Sequence, residues 1–335
     1  RREWIATGIA STAATLVAQD SEKRIVAGQF GTEHPHASGK MDAMRSLKDL
    51  YEVVGVVEPD DARWESVKDK YEGVPRLSEE ELFAAKGLQV VAVETDIPDL
   101  IETAKKCVSR GLHIHLDKPA GTSLPKFKEL HDVAAANQAV IQMGYMLRYN
   151  PAFQFLFKAL KEDWLGEVFE VDGVMSKLAR GSGRSYLEPY SGGVMFELAC
   201  HLVDAVLNVL GPPDSVTPFL RKTHPDLDQV VDNTLAVFEY PRATATIRSS
   251  IVEVGGNQRR QFIVCGTKGT VEIRPLEPAK TLTLTLDEPA GGYKKGRHEI
   301  DLPASTGRYD DEFRDLAKIV RGEKKTDYPP AHDLA

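Results

Sequence analysis

From Lys23 onward, short β-branched runs alternate with longer stretches of helical periodicity, a pattern that predicts a parallel sheet covered by helices. Lys23 to Phe30 reads as a strand, Gly31-Thr32-Glu33-His34-Pro35-His36 as a turn, and a helix follows through about Leu50. Glu52 to Val57 is a nearly continuous apolar run, as expected of a strand buried on both faces. Gln89 to Val93 is another such strand and leads into Glu94-Thr95-Asp96. A helix from about Pro98 to Arg110 is closed by Gly111 as a C-cap. Leu112 to Leu116 then delivers Asp117-Lys118-Pro119 to the carboxyl edge of the sheet, where ligands of open α/β sheets bind.

After Pro151 the rhythm changes. An amphipathic helix and a strand near Glu167 to Met175 precede a polar loop holding Arg180, Arg184, Tyr186 and Tyr190, suited to gripping hydroxyl groups. Gly192 to Asp204 reads as a helix on which Glu197, His201 and Asp204, spaced i, i+4 and i+7, lie within about 60° of one another. Three ionisable groups on one face of an otherwise apolar helix are costly to bury unless they are paired or used. The alternative for His201 is a hydrogen-bonded core histidine. Beyond Gly211-Pro212 the runs Thr234–Tyr240, Ala243–Ile251, Gln261–Gly266, Thr270–Ile273 and Thr281–Leu286 alternate, which predicts an open, largely antiparallel sheet with helices on one face. A last helix is expected over Tyr309–Arg321.

Composition narrows the partners. The 335 residues suffice for two domains with their own cores, and 42% apolar with 27% charged residues is the balance of a folded soluble protein. A net charge of −8 with no dense Lys/Arg cluster argues against nucleic acid as a partner. Cys107, Cys200 and Cys265 are odd in number and widely spaced, so they read as small buried hydrophobes. His34 and His36 flank Pro35, and His113 and His115 share a strand face. No third ligand is apparent for His113 and His115, which read as core and strand-end packing, and nothing in the sequence supports a metal at His34 and His36, so none is expected.

At the start, Arg1-Arg2 precedes an uncharged stretch from Trp4 to Ala18. It falls short of the roughly 20 apolar residues a membrane span needs, so stable membrane insertion is not expected. Residues 1–20 resemble a twin-arginine (Tat) export signal, which implies a periplasmic or otherwise exported protein. A frayed amphipathic helix on a cytoplasmic protein is the alternative.

The second strand ends at Glu58, 27 residues after Gly31. In a dinucleotide fold an acidic residue at this tip accepts hydrogen bonds from the adenosine ribose, and its charge repels the extra phosphate of NADP. NAD is therefore favoured over NADP, the bland alternative being a solvated carboxylate. The turn departs from the G-x-G-x-x-G fingerprint, because counting from Gly31 puts Glu33 and His36 where its second and third glycines stand. A carboxylate beside a pyrophosphate is repulsive, so either Glu33 turns outward to solvent, the local register is shifted by one residue, or cofactor binding has been lost; the outward Glu33 is expected, because the helix N-terminus still supplies amide donors.

Val90-Val91-Ala92-Val93, Gly111-Leu112-His113-Ile114 and Asp117-Lys118-Pro119-Ala120-Gly121 in this order resemble the Gfo/Idh/MocA family, in which a Glu-Lys-Pro motif stands where Asp117-Lys118-Pro119 is found. Gly144 to Pro151 resembles the family's crossing into its second domain. Gly192-Gly193 through Glu197, His201 and Asp204 resembles its Gly-Gly-x-x-x-Asp-x-x-x-His-x-x-Asp helix, with Glu197 where Asp is usual.

The resemblance covers essentially Lys23 to Ala335. It implies an α/β fold: an N-terminal Rossmann domain (parallel, doubly wound) over 23–147, and a C-terminal α+β substrate and oligomerisation domain with a large open, mostly antiparallel sheet over 148–335. The family continues past such a tail into another helix, so truncation at the C-terminus is expected. A homo-oligomer, dimer or tetramer, is implied as well.

By the same resemblance the activity is hydride transfer between a nicotinamide cofactor and a sugar or cyclic polyol hydroxyl. Lys118, His201 and Glu197 are the catalytic candidates. Gly31, Thr32, His34, Glu58, Thr95, Asp117 and Lys118 would bind the cofactor. Arg148, Tyr149, Arg184, Tyr186 and Asp204 would line the substrate pocket. Two other readings stay open: an NAD-dependent glycoside hydrolase of the same superfamily with no net redox, which export favours, and a non-catalytic sugar-binding protein.

Overall fold

The computed structural model describes residues 24–304 and 306–335. The export signal read over 1–20 lies outside them. The chain divides into two compact units, one comprising the residues up to Gly144 together with Gly307–Leu334, the other Tyr145–Thr306.

In the first unit, β1 (Ile25–Phe30), β2 (Tyr51–Val57), β3 (Arg76–Leu77), β4 (Leu88–Val93), β5 (His113–Leu116) and β6 (Ile141–Met143) form one sheet in the order β3-β2-β1-β4-β5-β6. Every pairing in it is parallel. The chain runs outward from β1 to β3 and then returns to β4 on the other side of β1. The β1/β4 boundary is thus the switch point at which doubly wound sheets open a crevice. Val90 to Val93 are fully buried, as two-sided coverage requires of a central parallel strand.

Local chemistry sets the helix starts. Asp60 caps the helix Asp61–Val67 by accepting from the Ala62 and Arg63 amides, and Ser78 with Glu81 forms a reciprocal capping box at Glu79–Ala84. Gly31 follows β1 with φ +88°, and a Cβ there would sit 2.7 Å from the Thr95 amide nitrogen, so only glycine fits this approach of the turn to the end of β4.

The expected boundary at residues 148–335 needs correction, because Gly307–Leu334 belongs to the first unit. Its helix Asp310–Val320 buries Phe313, Leu316 and Ala317, stacks Phe313 on His115 at 4.9 Å, and accepts a hydrogen bond from Tyr51 Oη at the Phe313 carbonyl. Amphipathicity announces such a helix but not which of two cores receives it.

In the second unit, β7 (Val168–Val174), β8 (Ser215–Arg221), β9 (Asn233–Glu239), β10 (Thr244–Ser250), β11 (Gln261–Gly266), β12 (Gly269–Ile273), β13 (Thr281–Leu286) and β14 (Gly296–Asp301) make a sheet ordered β14-β13-β12-β11-β7-β10-β9-β8. Only β7 and β10 pair in parallel, so the mostly antiparallel expectation holds. Period-two burial in β9, β11 and β13 turns one face inward, against the helices Pro151–Lys161 and Cys200–Leu210. Phe153 of the first helix meets Phe262 at 5.2 Å, and Leu202 of the second fills the space beside Gly173. The edge strand β8 is exposed along its whole length and carries Val216, Phe219 and Leu220. Among the described residues no helix is long and apolar enough to cross a membrane.

Candidate active site

In the first unit the carboxyl ends of β1, β2, β4 and β5 bring Gly31, Glu58, Thr95 and the Asp117-Lys118 pair to one edge of the sheet. A cleft of about 550 Å³ opens there at the ends of β1 and β2, lined among others by Phe30, Glu58, Arg76, Leu77, Ser78 and Lys106. This is where the adenosine half of a dinucleotide lies in such a sheet, and an apolar lining with the buried Glu58 carboxylate among it suits an adenine ring and a ribose. The residues present therefore fit the adenosine end of the cofactor.

The turn after β1 is tied down by its own side chains. Thr32 Oγ1 donates to Glu58 Oε2 at 2.5 Å, the Asp60 amide donates to Glu58 Oε1 at 3.0 Å, and Arg63 Nη2 donates to the Thr32 carbonyl. Both Glu58 oxygens thus already hold one internal donor. The His34 amide bonds the Glu94 carbonyl. These anchors pull the turn inward, and Glu33 follows. It is half-buried rather than turned outward as expected, with one carboxylate oxygen enclosed without a hydrogen-bond partner. Burial and the nearby Glu58 charge push its carboxyl above the ordinary range.

His34 and Asp117 were expected to touch a cofactor, but their side chains are fully enclosed and face each other, with His34 Nδ1 at 3.2 Å from Asp117 Oδ2. His36 Nδ1 lies 3.2 Å from both Asp117 oxygens, and His34 Nε2 meets the Lys118 carbonyl at 3.1 Å. The ligand atoms of His34, His36 and Asp117 lie within 4.8 Å of one another, so the fold sets a carboxylate beside the histidine pair that the sequence did not link to it. Burial acts to raise the Asp117 carboxyl, but the two imidazoles and Lys40 more than offset it and hold it well below its usual range. Burial lowers His36 to about 4 despite Asp117, so this imidazole is neutral at pH 7.

Behind them stand residues that sequence reasoning missed. Glu94 is fully buried beside Asp117, and burial together with that neighbouring charge pushes its carboxyl well above the ordinary range. His115, set down as strand packing, does stack on Phe313, yet it also bonds Glu312 at 2.7 Å, and Glu312 pairs with buried Lys40 at 2.6 Å. Glu312 lies 197 positions from His115, so no local pattern links them. Lys118 is buried, with its amide donating to Asp117 Oδ1 at 2.7 Å.

In the second unit the expected single helix is interrupted. Gly193–Glu197 and Cys200–Leu210 are separate helices joined by Leu198 and Ala199, and the Ala199 amide reaches back to Val194 rather than to its usual partner one turn earlier. Gly193 (φ +50°) begins the first, where a Cβ would strike the Val231 carbonyl at 2.0 Å. Glu197, His201 and Asp204 are nevertheless all buried. Tyr145 lies edge-on to His201 at 6.0 Å, and Lys177, not foreseen, stands 3.7 Å from Glu197.

Arg148 and Asp204, expected to line the pocket, are bound to each other, with the guanidinium engaging both carboxylate oxygens at 2.6–3.1 Å. Arg184 likewise spends its guanidinium on Asp228 and Asp232 rather than on a free loop surface. Tyr186 packs edge-on to Tyr190 at 6.0 Å, and Tyr149 ends a short 3-10 turn, Met146–Tyr149, that carries Arg148. Pocket residues inferred from a polar loop are here mainly ion-pair partners, because a buried guanidinium requires carboxylates around it.

Comparison with known proteins matches residues 26–145 to the model described as "Oxidoreductase family, NAD-binding Rossmann fold" of GFO/IDH/MocA, and residues 153–272 to the GFO/IDH/MocA C-terminal domain. Among curated proteins the chain is 26% identical over 216 residues to the uncharacterized oxidoreductase YdgJ of Escherichia coli, covering 63% of this chain and 61% of that protein. It is 26% identical over 244 residues to the D-xylose 1-dehydrogenase (NADP(+)) 2 of Haloferax volcanii, covering 70% of this chain and 73% of the relative. It therefore spans less than two thirds of the length of the first of these. Among solved structures, a levoglucosan dehydrogenase in complex with NADH and levoglucosan superposes with a TM-score of 0.79 at 15% identity, covering 93% of this chain and 94% of that one.

Proposed function

Since this chain belongs to the GFO/IDH/MocA family, we propose that it is a nicotinamide-dependent oxidoreductase acting on a hydroxyl-bearing carbon of a sugar or cyclic polyol, with NAD as the preferred cofactor. The observation that carries the reading is the cleft at the ends of β1 and β2, lined in part by the buried Glu58. The relation to a D-xylose 1-dehydrogenase supports the substrate class, although that relative is named for NADP(+). The Glu58 carboxylate supports NAD by repelling a ribose phosphate.

Bound nicotinamide supplies the hydride acceptor or donor. The Lys118 ammonium stabilises the developing alkoxide, His201 takes the hydroxyl proton, and Glu197 orients His201. Tyr149, Tyr186 and the residues around them shape the sugar pocket. Export through the twin-arginine pathway, read from Arg1-Arg2 and the stretch to Ala18, is part of the proposal. So is a homo-oligomer, supported by the exposed apolar positions Val216, Phe219 and Leu220 on β8.

Denaturing the purified protein and identifying the dinucleotide it releases, followed by a panel of sugars and polyols read by nicotinamide absorbance, tests the activity. A released NAD with sugar-dependent reduction is expected. Chromogenic glycoside cleavage without net reduction would replace the dehydrogenase by a glycosidase, and sugar binding without any dinucleotide would leave a binding protein. Replacing Arg1 and Arg2 by lysine in the full-length precursor should trap it in the cytoplasm, and unchanged export overturns the Tat assignment.

A further inference from the structure

We propose that His34, His36 and Asp117 form a binding site for one divalent transition-metal ion of the zinc class, with a coordination position left open on the His36 side. The inference stands on geometry within the first unit and does not depend on the proposed activity.

The Lys118 carbonyl can only accept, so the contact at 3.1 Å places a proton on His34 Nε2 and turns Nδ1 toward the other two residues. Nδ1 faces Asp117 Oδ2 at 3.2 Å. His36 can offer at most one ring proton, from Nδ1, to the two Asp117 oxygens. The Lys118 amide donates to Asp117 Oδ1, and the His36 amide lies 3.4 Å from His34 Nδ1, long for a hydrogen bond.

A second observation is independent of these three residues. Glu94 is fully buried, neither of its carboxylate oxygens has a hydrogen-bond donor, and Oε2 lies 3.8 Å from His34 Nδ1. Two imidazoles and two carboxyl groups therefore converge on one enclosed point, an arrangement that a bound cation satisfies.

The spacing agrees. Tetrahedral zinc with bonds of about 2.0–2.1 Å sets its ligand atoms about 3.3 Å apart, whereas charge-assisted hydrogen bonds shorten to about 2.7–2.9 Å. Both histidine-to-Asp117 separations are 3.2 Å. A ligating histidine commonly donates its other ring proton to a backbone carbonyl, which is what His34 does toward Lys118.

Two imidazoles and one carboxylate leave a tetrahedral ion one ligand short, the arrangement of sites that hold a water or a ligand oxygen. His34 and Asp117 are fully enclosed while His36 is 16% exposed, so the open position lies on the His36 side. Among the described residues this is the only group of its kind.

The test uses the whole chain, stripped with a chelator, reloaded with Co²⁺ and passed through a desalting column. One Co²⁺ per chain is expected, with the intense visible absorption of four- or five-coordinate cobalt, displaced by Zn²⁺ but not by Mg²⁺. His36→Ala and Asp117→Asn should each weaken binding more than about 100-fold, beyond the 10- to 100-fold typical of losing an outer-shell partner, and Glu94→Gln should fall within that range. Zn²⁺ should also raise the thermal midpoint of the wild type but not of His36→Ala. Because His36 is the most exposed of the three, its variant decides the matter should Asp117→Asn not fold. Failure to retain Co²⁺, or retention with a spectrum indifferent to His36→Ala, overturns the site.

Discussion

Replacing Glu312 by alanine probes how the C-terminal segment is held. The side chain is buried, receives Lys40 Nζ at 2.6 Å and bonds His115 Nε2 at 2.7 Å. Removing it leaves the buried Lys40 ammonium with His115 Nε2 at 3.3 Å and the Tyr309 ring at 3.9 Å in direct contact, and with Asp117 and Glu94 as the buried carboxyl groups that still feel its charge. Breaking a buried pair by deleting one partner costs about 3–5 kcal/mol. The ceiling is physical, because an ordinary lysine side chain can lose its proton at pH 7 for about 4.6 kcal/mol, and a larger penalty is relieved that way. Glu312→Gln keeps an acceptor for Lys40 and should cost roughly half as much.

The effect must depend on pH. Burial acts to raise the Glu312 carboxyl, but Lys40 and His115 more than offset it and leave it below its ordinary value. A carboxyl lowered on folding contributes stability that is present above its unfolded pKa, about 4.3, and is lost as pH falls through the folded value. The difference between wild type and Glu312→Ala should therefore be full at pH 7 and shrink progressively below about pH 4. Hydrogen exchange followed by mass spectrometry on the peptide covering Asp310–Val320 reads the opening free energy of this helix without assuming that the two units unfold together. A loss under about 1 kcal/mol at pH 7, or one unchanged at pH 3, refutes the reasoning.

Four further outcomes are expected. Lys118→Ala and His201→Ala should each lower turnover by about 10²- to 10⁴-fold with unchanged circular dichroism, and near-normal turnover in either would remove its assigned role. Glu58→Ala should weaken NAD binding in calorimetric titration and Glu33→Gly should strengthen it. Because the Glu33 carboxyl is raised by burial and by Glu58, raising pH through its titration should weaken dinucleotide binding in the wild type but not in Glu33→Gly. Arg184→Ala should destabilise the second unit by about 2–3 kcal/mol in urea titrations, since it strips charged hydrogen bonds from Asp228 and fully buried Asp232. Gly39→Ala, ordinarily a gain of about 0.5–1 kcal/mol within a helix, should instead lower the thermal midpoint, because the new Cβ meets Tyr309 Cε2 at 2.7 Å; a rise would mean that Tyr309 does not pack there.

What the sequence disclosed was what local periodicity encodes. Strands Tyr51–Val57, Leu88–Val93, Gln261–Gly266 and Thr281–Leu286 lie within a residue or two of the runs read from β-branched and alternating patterns. The strands that escaped are β3, two residues long, β6, three residues long, and the two edge strands β8 and β14, neither of which has a buried residue, so that length or lack of a buried face removes the period-two signal. Candidate site residues were found by type and spacing, but their partners were not. Arg148 is 56 positions from Asp204, and Arg184 lies 44 and 48 positions from its two aspartates. An arginine read from sequence presents a free guanidinium, and only the fold reveals that its charge is already matched.

The turn after β1 shows the same limit in its sharpest form. Against a glycine fingerprint, Glu33 and His36 look like defects, because the fingerprint assumes that close approach of backbone to pyrophosphate and of helix to strand fixes the turn. Here side chains do part of that work: Thr32 is tied to Glu58, His34 and His36 converge on Asp117, and Arg63 reaches back to the Thr32 carbonyl. The glycine needed for close packing appears one turn further along the helix, at Gly39, where the ring of Tyr309 from the returning C-terminal segment presses in. Gly31 alone keeps its ordinary duty, since its positive φ and the nearby Thr95 backbone admit no side chain. A fingerprint scored position by position marks this turn as degraded. Its physical requirements are met instead by residues drawn from the ends of β2 and β5 and from a segment some 270 positions away, which no window on the turn itself contains.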